Sequence, residues 1–217
     1  VVREEFKRTA IAGEEASRSI GARGEHTLAH LDRILSRGDK RADFVRKHLL
    51  RVVQVAAPEF HKALGGYLQY CEATNSQTRA ASFLADFGFG VSQCLPLIVQ
   101  AALMRKGEML LVEQPEAHLH PTAQLEASQI FADLWKSRGV QCVLETHSSN
   151  ILLRLRRLVA KGEITPDDVS VGYFSYERGQ VCVKNLDIKP DGSLSAGLPM
   201  EFFGADLMES LEMTNGK

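Results

Sequence analysis

One stretch constrains the fold of this chain more than any other, and it reads MLLVEQPEAHLHP from Met109 to Pro121. Its four leading apolar residues run directly into Glu113 and Gln114, which predicts a short strand buried on both faces of a parallel sheet. Pro115 ends the strand because it offers no N–H to a neighbouring strand. Both polar side chains should then lie at the carboxyl edge, where open α/β sheets bind ligands. A buried strand that ends in an ordinary polar turn is the alternative.

A second apolar strand is predicted at residues 140–144, and it ends in Glu145-Thr146-His147-Ser148. The next helix should open at Ser148 to Asn150, which are good N-capping residues. His147 therefore follows a strand end, as Glu113 does, and we expect the two side chains to share one edge of the sheet. The alternative is a histidine that is satisfied by the nearby helix cap.

A glycine-rich segment, DFGFGVSQCLP at 86–96, precedes a helix with a strong apolar stripe. Gly88 and Gly90 permit positive φ and close approach of another backbone. Ser92 is predicted to be the N-cap, and Pro96 is expected near the first turn, where proline is tolerated. The N–H groups at such a helix start form a phosphate site, aided by the helix dipole. A capped helix start with no ligand is the alternative.

Together these segments resemble the C-terminal half of an ABC-type ATPase head, and the likeness is greatest to the OLD-like AAA ATPases of prokaryotes, which are related to SMC proteins. MLLVE resembles the Walker B strand, FGVSQ the signature motif and AHLHP the D-loop. The likeness covers roughly residues 20–217 and is strongest at 87–121 and 143–150. It implies an α/β fold: a mostly parallel sheet flanked by helices, with a helical N-terminal part and a C-terminal β-hairpin. The implied segments are a helical and small-strand part at 1–85, the ATPase lobe at 86–165, and a hairpin and tail at 166–217.

The resemblance also implies roles for individual residues. Glu113 would serve the Mg²⁺ of bound ATP, and Gln114 stands where most such ATPases carry a glutamate that orients the attacking water. Because a glutamine can position water but cannot accept its proton, we expect slow hydrolysis. Glu116 is the nearest carboxylate that could substitute. His147 matches the switch histidine, which hydrogen-bonds the γ-phosphate.

Several residues are implied to meet the nucleotide of a second protomer: Gly88, Gly90, Ser92, Gln93 and His120. The serine comes two positions later than in the family's Leu-Ser-Gly-Gly-Gln, which is a departure from the motif. Three potential metal ligands lie close together in the sequence, namely Glu116, His118 and His120. Three such donors alone do not make a metal site.

The phosphate-binding loop G-x-x-x-x-G-K-[ST] does not occur in this sequence. The nearest stretch, GARGEHT at 21–27, lacks the lysine and the spacing. Under the ATPase interpretation, the chain is therefore expected to be the C-terminal lobe of a larger ATPase.

Composition sets limits on partners. The net charge of the chain is −1, so its overall charge does not attract nucleic acid. Contact with DNA would need a local basic patch. Two candidate patches are present, Arg46 with Lys47 and Arg51, and Arg154 with Arg156 and Arg157. The four cysteines lack metal-ligand spacing, which favours small buried side chains in a reducing cytoplasm. No apolar run reaches the ~20 residues that span a bilayer.

The leading hypothesis is an ATPase that dimerises around ATP and Mg²⁺ in a prokaryotic DNA-handling or anti-phage system, with an effector nuclease and DNA as further partners. The rival is a nucleotide-gated scaffold with negligible hydrolysis. A weaker third hypothesis is an α/β interaction module that binds no nucleotide.

Overall fold

The computed structural model describes residues 19–21, 23–63, 68–197 and 213. These residues form two compact units that divide between Thr146 and His147. The segment boundaries predicted at 85 and 165 stay a prediction. The glycine pair at 65–66, most of the segment at 1–24 and most of the C-terminal tail lie outside the described residues.

The first unit opens with two helices, α1 (Thr27–Arg37) and α2 (Lys40–Val53). Asp39 starts α2 because its carboxylate accepts from the N–H of Arg41. The helix ends where Gln54 adopts a left-handed conformation, with φ 58°. Ala57 and Pro58 come after this point and lie inside the following strand.

That strand belongs to a three-stranded antiparallel sheet with the order β1-β2-β3. Its members are β1 (Val55–Ala63), β2 (Leu68–Asn75) and β3 (Ala81–Phe83). The register shifts between Ala56 and Glu59, an irregularity that accommodates a proline within a strand. Strands β2 and β3 pair antiparallel across a polar turn, and β1 contains Pro58, which by itself indicates a break in a strand.

Helix α3 (Phe89–Leu103) follows the glycine-rich segment and carries the predicted apolar stripe into the core. Gly88 is its N-cap, so the prediction that Ser92 holds this position is wrong. The left-handed backbone of Gly88, with φ 87°, starts the helix four residues earlier. Pro96 consequently lies in the helix interior rather than in the first turn. It denies the carbonyl of Ser92 its usual helical donor.

Two parallel strands, β4 (Met109–Glu113) and β5 (Gln141–Glu145), flank helix α4 (Pro121–Arg138) in sequence. Their inward face, with Leu110 and Leu144, packs against the core of the unit. The prediction that β4 is buried on both faces is wrong, because the opposite face is exposed: Leu111 is 69% exposed and Val143 is 49% exposed. In the described residues, parallel pairing is confined to these two strands, and the α/β class is confirmed.

The core of the first unit is built by α1 to α4 and the inner sheet faces. Its largest fully buried side chains are aliphatic, and each contributes about 1.5–3 kcal/mol by burial. They are Leu31, Ile34, Leu49, Leu95, Ile98, Ile130 and Leu134.

The second unit contains helix α5 (Ser149–Ala160) and a hairpin of β6 (Val171–Glu177) and β7 (Gln180–Leu186). The predicted C-terminal hairpin is thus confirmed, with Arg178 and Gly179 at its turn. Arg156, from the predicted outward basic patch, donates from Nε to the carbonyl of Gly192 at 2.7 Å. None of the helices in the described ranges has the length and apolar character needed to cross a membrane.

Candidate functional site

The carboxyl ends of β4 and β5 carry two glutamates. Glu113 and Glu145 are register partners in the parallel pair. Both lie on the exposed face, because exposure alternates along each strand and both positions are exposed. A role for Glu113 was predicted from the sequence, but none was predicted for Glu145. The signal for Glu145 was present, since parallel strands align their carboxyl ends and both strands end in Glu.

Gln114 extends the strand pairing by one residue. Its N–H donates to the carbonyl of Glu145 at 2.8 Å, and its φ is 47°. A positive φ is uncommon for a residue other than glycine and marks local backbone strain. The strain turns the chain sharply out of the sheet directly after Glu113. The side chain of Gln114 is exposed at this edge.

Glu116 is the carboxylate that could substitute for the catalytic glutamate, and it is hydrogen-bonded to Thr146, the residue after β5. The hydroxyl of Thr146 donates to Glu116 Oε2 at 2.8 Å. Two tight turns hold the surrounding loop, with Ala117 N–H donating to Gln114 and Leu119 N–H donating to Glu116. The loop that follows the strand is therefore fixed by hydrogen bonds within the same unit.

The two histidines of the loop have different surroundings. His120 is the N-cap of α4, and its Nδ1 accepts from the N–H of Thr122 at 3.4 Å and lies 2.9 Å from Thr122 Oγ1. His118 has a φ of 60°, and its ring centroid lies 5.8 Å from that of Phe89. Helix capping thus accounts for His120 locally, and its nucleotide contact stays a prediction.

The start of α3 lies beside this loop. A Cβ built on Gly90 would lie 3.5 Å from the carbonyl oxygen of His118 and 3.5 Å from Leu119 Cδ2. Both distances are ordinary van der Waals contacts, so the space at Gly90 does not require a glycine, and of the two glycines only Gly88 has a positive φ. Gln93 is exposed, and Ser92 Oγ donates to the carbonyl of Gly88 at 3.4 Å. The segments that resemble the signature and the D-loop are thus neighbours.

His147 is the first residue of the second unit and directly precedes Ser148, the N-cap of α5. The hydroxyl of Ser148 accepts from the N–H groups of Asn150 and Ile151. The predicted capping residues are confirmed. Because Glu113 and His147 belong to different units, their expected common edge stays a prediction.

The donors at the β4–β5 edge fit Mg²⁺ chemically. Mg²⁺ prefers oxygen donors, and proteins usually bind it through one or two carboxylates, with waters and substrate phosphates completing the shell. Glu113 and Glu145 supply two carboxylates on one face. Their side-by-side negative charges are mutually unfavourable without a cation. Within the described ranges, no group of three or more His, Cys, Asp or Glu side chains is arranged to hold a metal ion. Glu116, His118 and His120 therefore do not form such a group.

The basic face proposed on α2 is largely neutralised. Lys47 contacts Asp133, and Arg51 Nε donates to Glu126 Oε2 at 2.9 Å. Both carboxylates belong to α4, so these cations join two helices.

Comparisons with known proteins bear on the family. No curated relative matches the chain. One solved structure, described by the words "Structural biochemistry of ATP-driven dimerization and DNA stimulated activation of SMC ATPases", aligns over 86% of this chain and 98% of its own, with 12% identity and a TM-score of 0.49. A sequence model of the AAA ATPase domain matches residues 40–152, which is more than half of the chain and includes β4, α4 and β5. The chain therefore belongs to the AAA ATPase domain family.

Proposed function

We propose that this chain is an ATPase subunit that binds ATP with Mg²⁺ and hydrolyses it slowly. The observation that carries the proposal is the pair of in-register glutamates at the carboxyl end of two parallel strands. This edge is where α/β sheets bind their ligands, and two adjacent carboxylates suit the metal that accompanies a triphosphate. When bound, Mg²⁺ would neutralise the charge of the phosphates.

Gln114 supports slow turnover. It follows Glu113 directly, and its backbone is fixed by the hydrogen bond to Glu145. Its amide can orient a water molecule, but it cannot take a proton from it. Glu116 accepts from Thr146 at Oε2, and because a carboxylate has further acceptor positions, it could serve as the base in place of Gln114. His147 would contact the γ-phosphate, as the family resemblance implies.

The start of α3 would serve a second copy of the head. Its N–H groups and dipole suit a phosphate, and Gly88, Gly90, Ser92, Gln93 and His120 are the residues proposed to meet it. The copies would close around ATP in a prokaryotic system that handles DNA or resists phage, with an effector nuclease and DNA as partners.

The test is ATP turnover by the full-length protein with Glu113→Ala. We expect a loss of at least about 100-fold, because the charge opposite the metal is removed. Glu163→Ala is the matched control, since Glu163 is exposed in the second unit, and its turnover should equal that of the wild type. Undiminished turnover in Glu113→Ala would refute the assignment of this edge.

The second candidate is a nucleotide-gated scaffold with negligible hydrolysis, and the glutamine at position 114 favours it. Gln114→Glu distinguishes the two. A large rise in turnover indicates that Gln114 keeps hydrolysis slow. An unchanged rate shows that this residue does not limit hydrolysis. Sedimentation of the protein with and without ATP tests whether a second copy binds.

A further inference from the structure

A small pocket in the first unit is lined by four arginines. Arg33 and Arg37 come from α1, Arg41 from the first turn of α2, and Arg105 from the segment that follows α3. His30, which is buried, completes the polar lining. Three separate segments of the fold therefore bring arginines to the lining of one pocket.

The positive charge at the pocket exceeds the negative charge beside it. Asp39 pairs with Arg41 through two contacts to Nε, at 3.0 and 3.2 Å. Glu108 Oε2 accepts from the backbone N–H of Arg105 at 2.8 Å. Among the described residues, no ion pair joins a carboxylate to the side chain of Arg33, Arg37 or Arg105. Burial, and then repulsion from Arg41, lower the pKa of nearby Arg138, although Asp39 acts in the opposite direction.

Helix stability alone does not explain this arrangement. Arg37 lies in the last turn of α1, where the helix dipole favours a cation. Arg41 lies in the first turn of α2, where the dipole disfavours one. Arg105 comes from a third segment and is exposed. Arginines that converge on one pocket from three segments are expected where an anion binds.

The size of the pocket indicates the kind of anion. Its volume is about 130 Å³, well below the roughly 300–1,000 Å³ of sites for drug-sized ligands. Arginine's planar guanidinium donates two parallel hydrogen bonds to phosphate oxygens. We propose that this pocket binds a single phosphate group.

This site is distinct from the phosphate position proposed at the start of α3. The pocket lies at the carboxyl-terminal end of α3, next to Leu103, whereas Gly88 and Gly90 lie at the opposite end. A helix of 15 residues is about 22 Å long. A phosphate bound here therefore cannot belong to a nucleotide held at the start of α3.

The test uses inorganic phosphate with the full-length protein, in the absence of nucleotide and Mg²⁺. Phosphate should raise the melting temperature of the wild type in a concentration-dependent manner. Arg37→Gln and Arg105→Gln should each weaken phosphate affinity about tenfold, as expected for the loss of a charge-assisted hydrogen bond. Arg79→Gln is the matched control, an exposed arginine in the turn between β2 and β3 and outside the pocket, and its affinity should stay within about twofold.

A second measurement identifies the source of the phosphate. A short DNA duplex is titrated at several salt concentrations. If Arg37→Gln lowers the salt slope by about one and phosphate competes, the group comes from a nucleic-acid backbone. If DNA binding is unaffected while phosphate binding is lost, the ligand is a small free phosphate.

Two results would overturn the proposal. One is a wild-type protein that neither responds to millimolar phosphate nor binds DNA through these arginines. The other is an equal loss of affinity in Arg79→Gln. The melting temperature of each variant without ligand shows whether it is folded, and Arg33→Gln replaces any variant that is not.

Discussion

Glu113 and Glu145 are register partners at the carboxyl ends of two parallel strands, and both side chains lie on the exposed face of the pair. Like charges placed opposite each other on one face of a sheet are unfavourable. A divalent cation would convert this repulsion into a binding site. The strand register therefore makes Glu145 a second candidate ligand of such a cation, beside Glu113.

Replacing Glu145 by Gln should therefore have two opposite effects. In metal-free protein the free energy of unfolding should rise by up to about 1 kcal/mol, because the repulsion is removed. In the ATPase assay the Mg²⁺ concentration for half-maximal turnover should increase. Urea denaturation without metal and a Mg²⁺ titration of turnover measure the two effects, with Glu163→Gln as the control. If the Mg²⁺ concentration for half-maximal turnover is unchanged, Glu145 does not bind the metal.

The two glycines before α3 should respond differently to alanine. Gly88 has φ 87°, so Gly88→Ala should lower the free energy of unfolding by about 1–2 kcal/mol. Gly90 is helical, and a Cβ there meets only ordinary contacts at 3.5 Å. Gly90→Ala should then be neutral or stabilising by about 0.5–1 kcal/mol, because alanine favours helix.

Denaturant titration of both variants measures this difference, and ATP turnover separates stability from function. If a partner's phosphates approach Gly90 closely, Gly90→Ala should lose turnover while keeping its stability. Full turnover of Gly90→Ala would show that Gly90 serves helix packing and not contact with a partner's nucleotide.

Asp133 joins α4 to α2. It contacts Lys47, lies 3.2 Å from Nε2 of the buried His48, and accepts from Gln129 Nε2 at 3.0 Å. Burial by itself raises the pKa of Asp133, but His48, Lys47 and Gln129 together lower it well below its usual range. Asp133→Asn should reduce the free energy of unfolding by about 2 kcal/mol at pH 7.

The pH dependence follows from the direction of that shift. Because the pKa is lower in the folded state, the stabilisation is present above the ordinary value of 3.8 and is lost as the pH falls below it. The difference between wild type and Asp133→Asn should therefore shrink below about pH 3.8. Asp167→Asn, an exposed aspartate in the second unit, is the control. Equal stability of Asp133→Asn and wild type at pH 7 would contradict the prediction.

Arg138 caps the carboxyl-terminal end of α3 from a different helix. Its Nη1 donates to the carbonyls of Ala101, Ala102 and Met104 at 3.1, 2.9 and 3.1 Å. The guanidinium also lies 5.3 Å from the ring centroid of Phe44. Arg138→Met should cost about 2–3 kcal/mol in the free energy of unfolding, because three buried acceptors lose their donor.

Arg138→Lys should be intermediate, since an ammonium group can reach some of these carbonyls but stacks less well on an aromatic ring. Urea denaturation measures both variants, with Arg46→Met as the control. The prediction fails if Arg138→Met unfolds at the same urea concentration as the wild type.

Local patterns in the sequence determined which segments of this protein form several of its strands and helices. The apolar run at 109–112 and the run at 140–144 identified β4 and β5, and the apolar stripe after Gly88 identified α3. Such signals depend on the spacing of neighbouring residues, which the sequence displays directly. The family resemblance was carried by the same short segments and agrees with the matched AAA ATPase domain.

Only the tertiary structure decided the rest. The pairing of Glu113 with Glu145 depends on strand register, and the exposed face of β4 depends on which helices cover it. The four-arginine pocket joins segments that are separated by up to 72 positions, from Arg33 to Arg105, so no local pattern reveals it. The start of α3 was mispredicted because a glycine in a left-handed conformation replaced the expected serine cap. Local spacing sets the type of each element, whereas register, packing and backbone turns set which side chains meet.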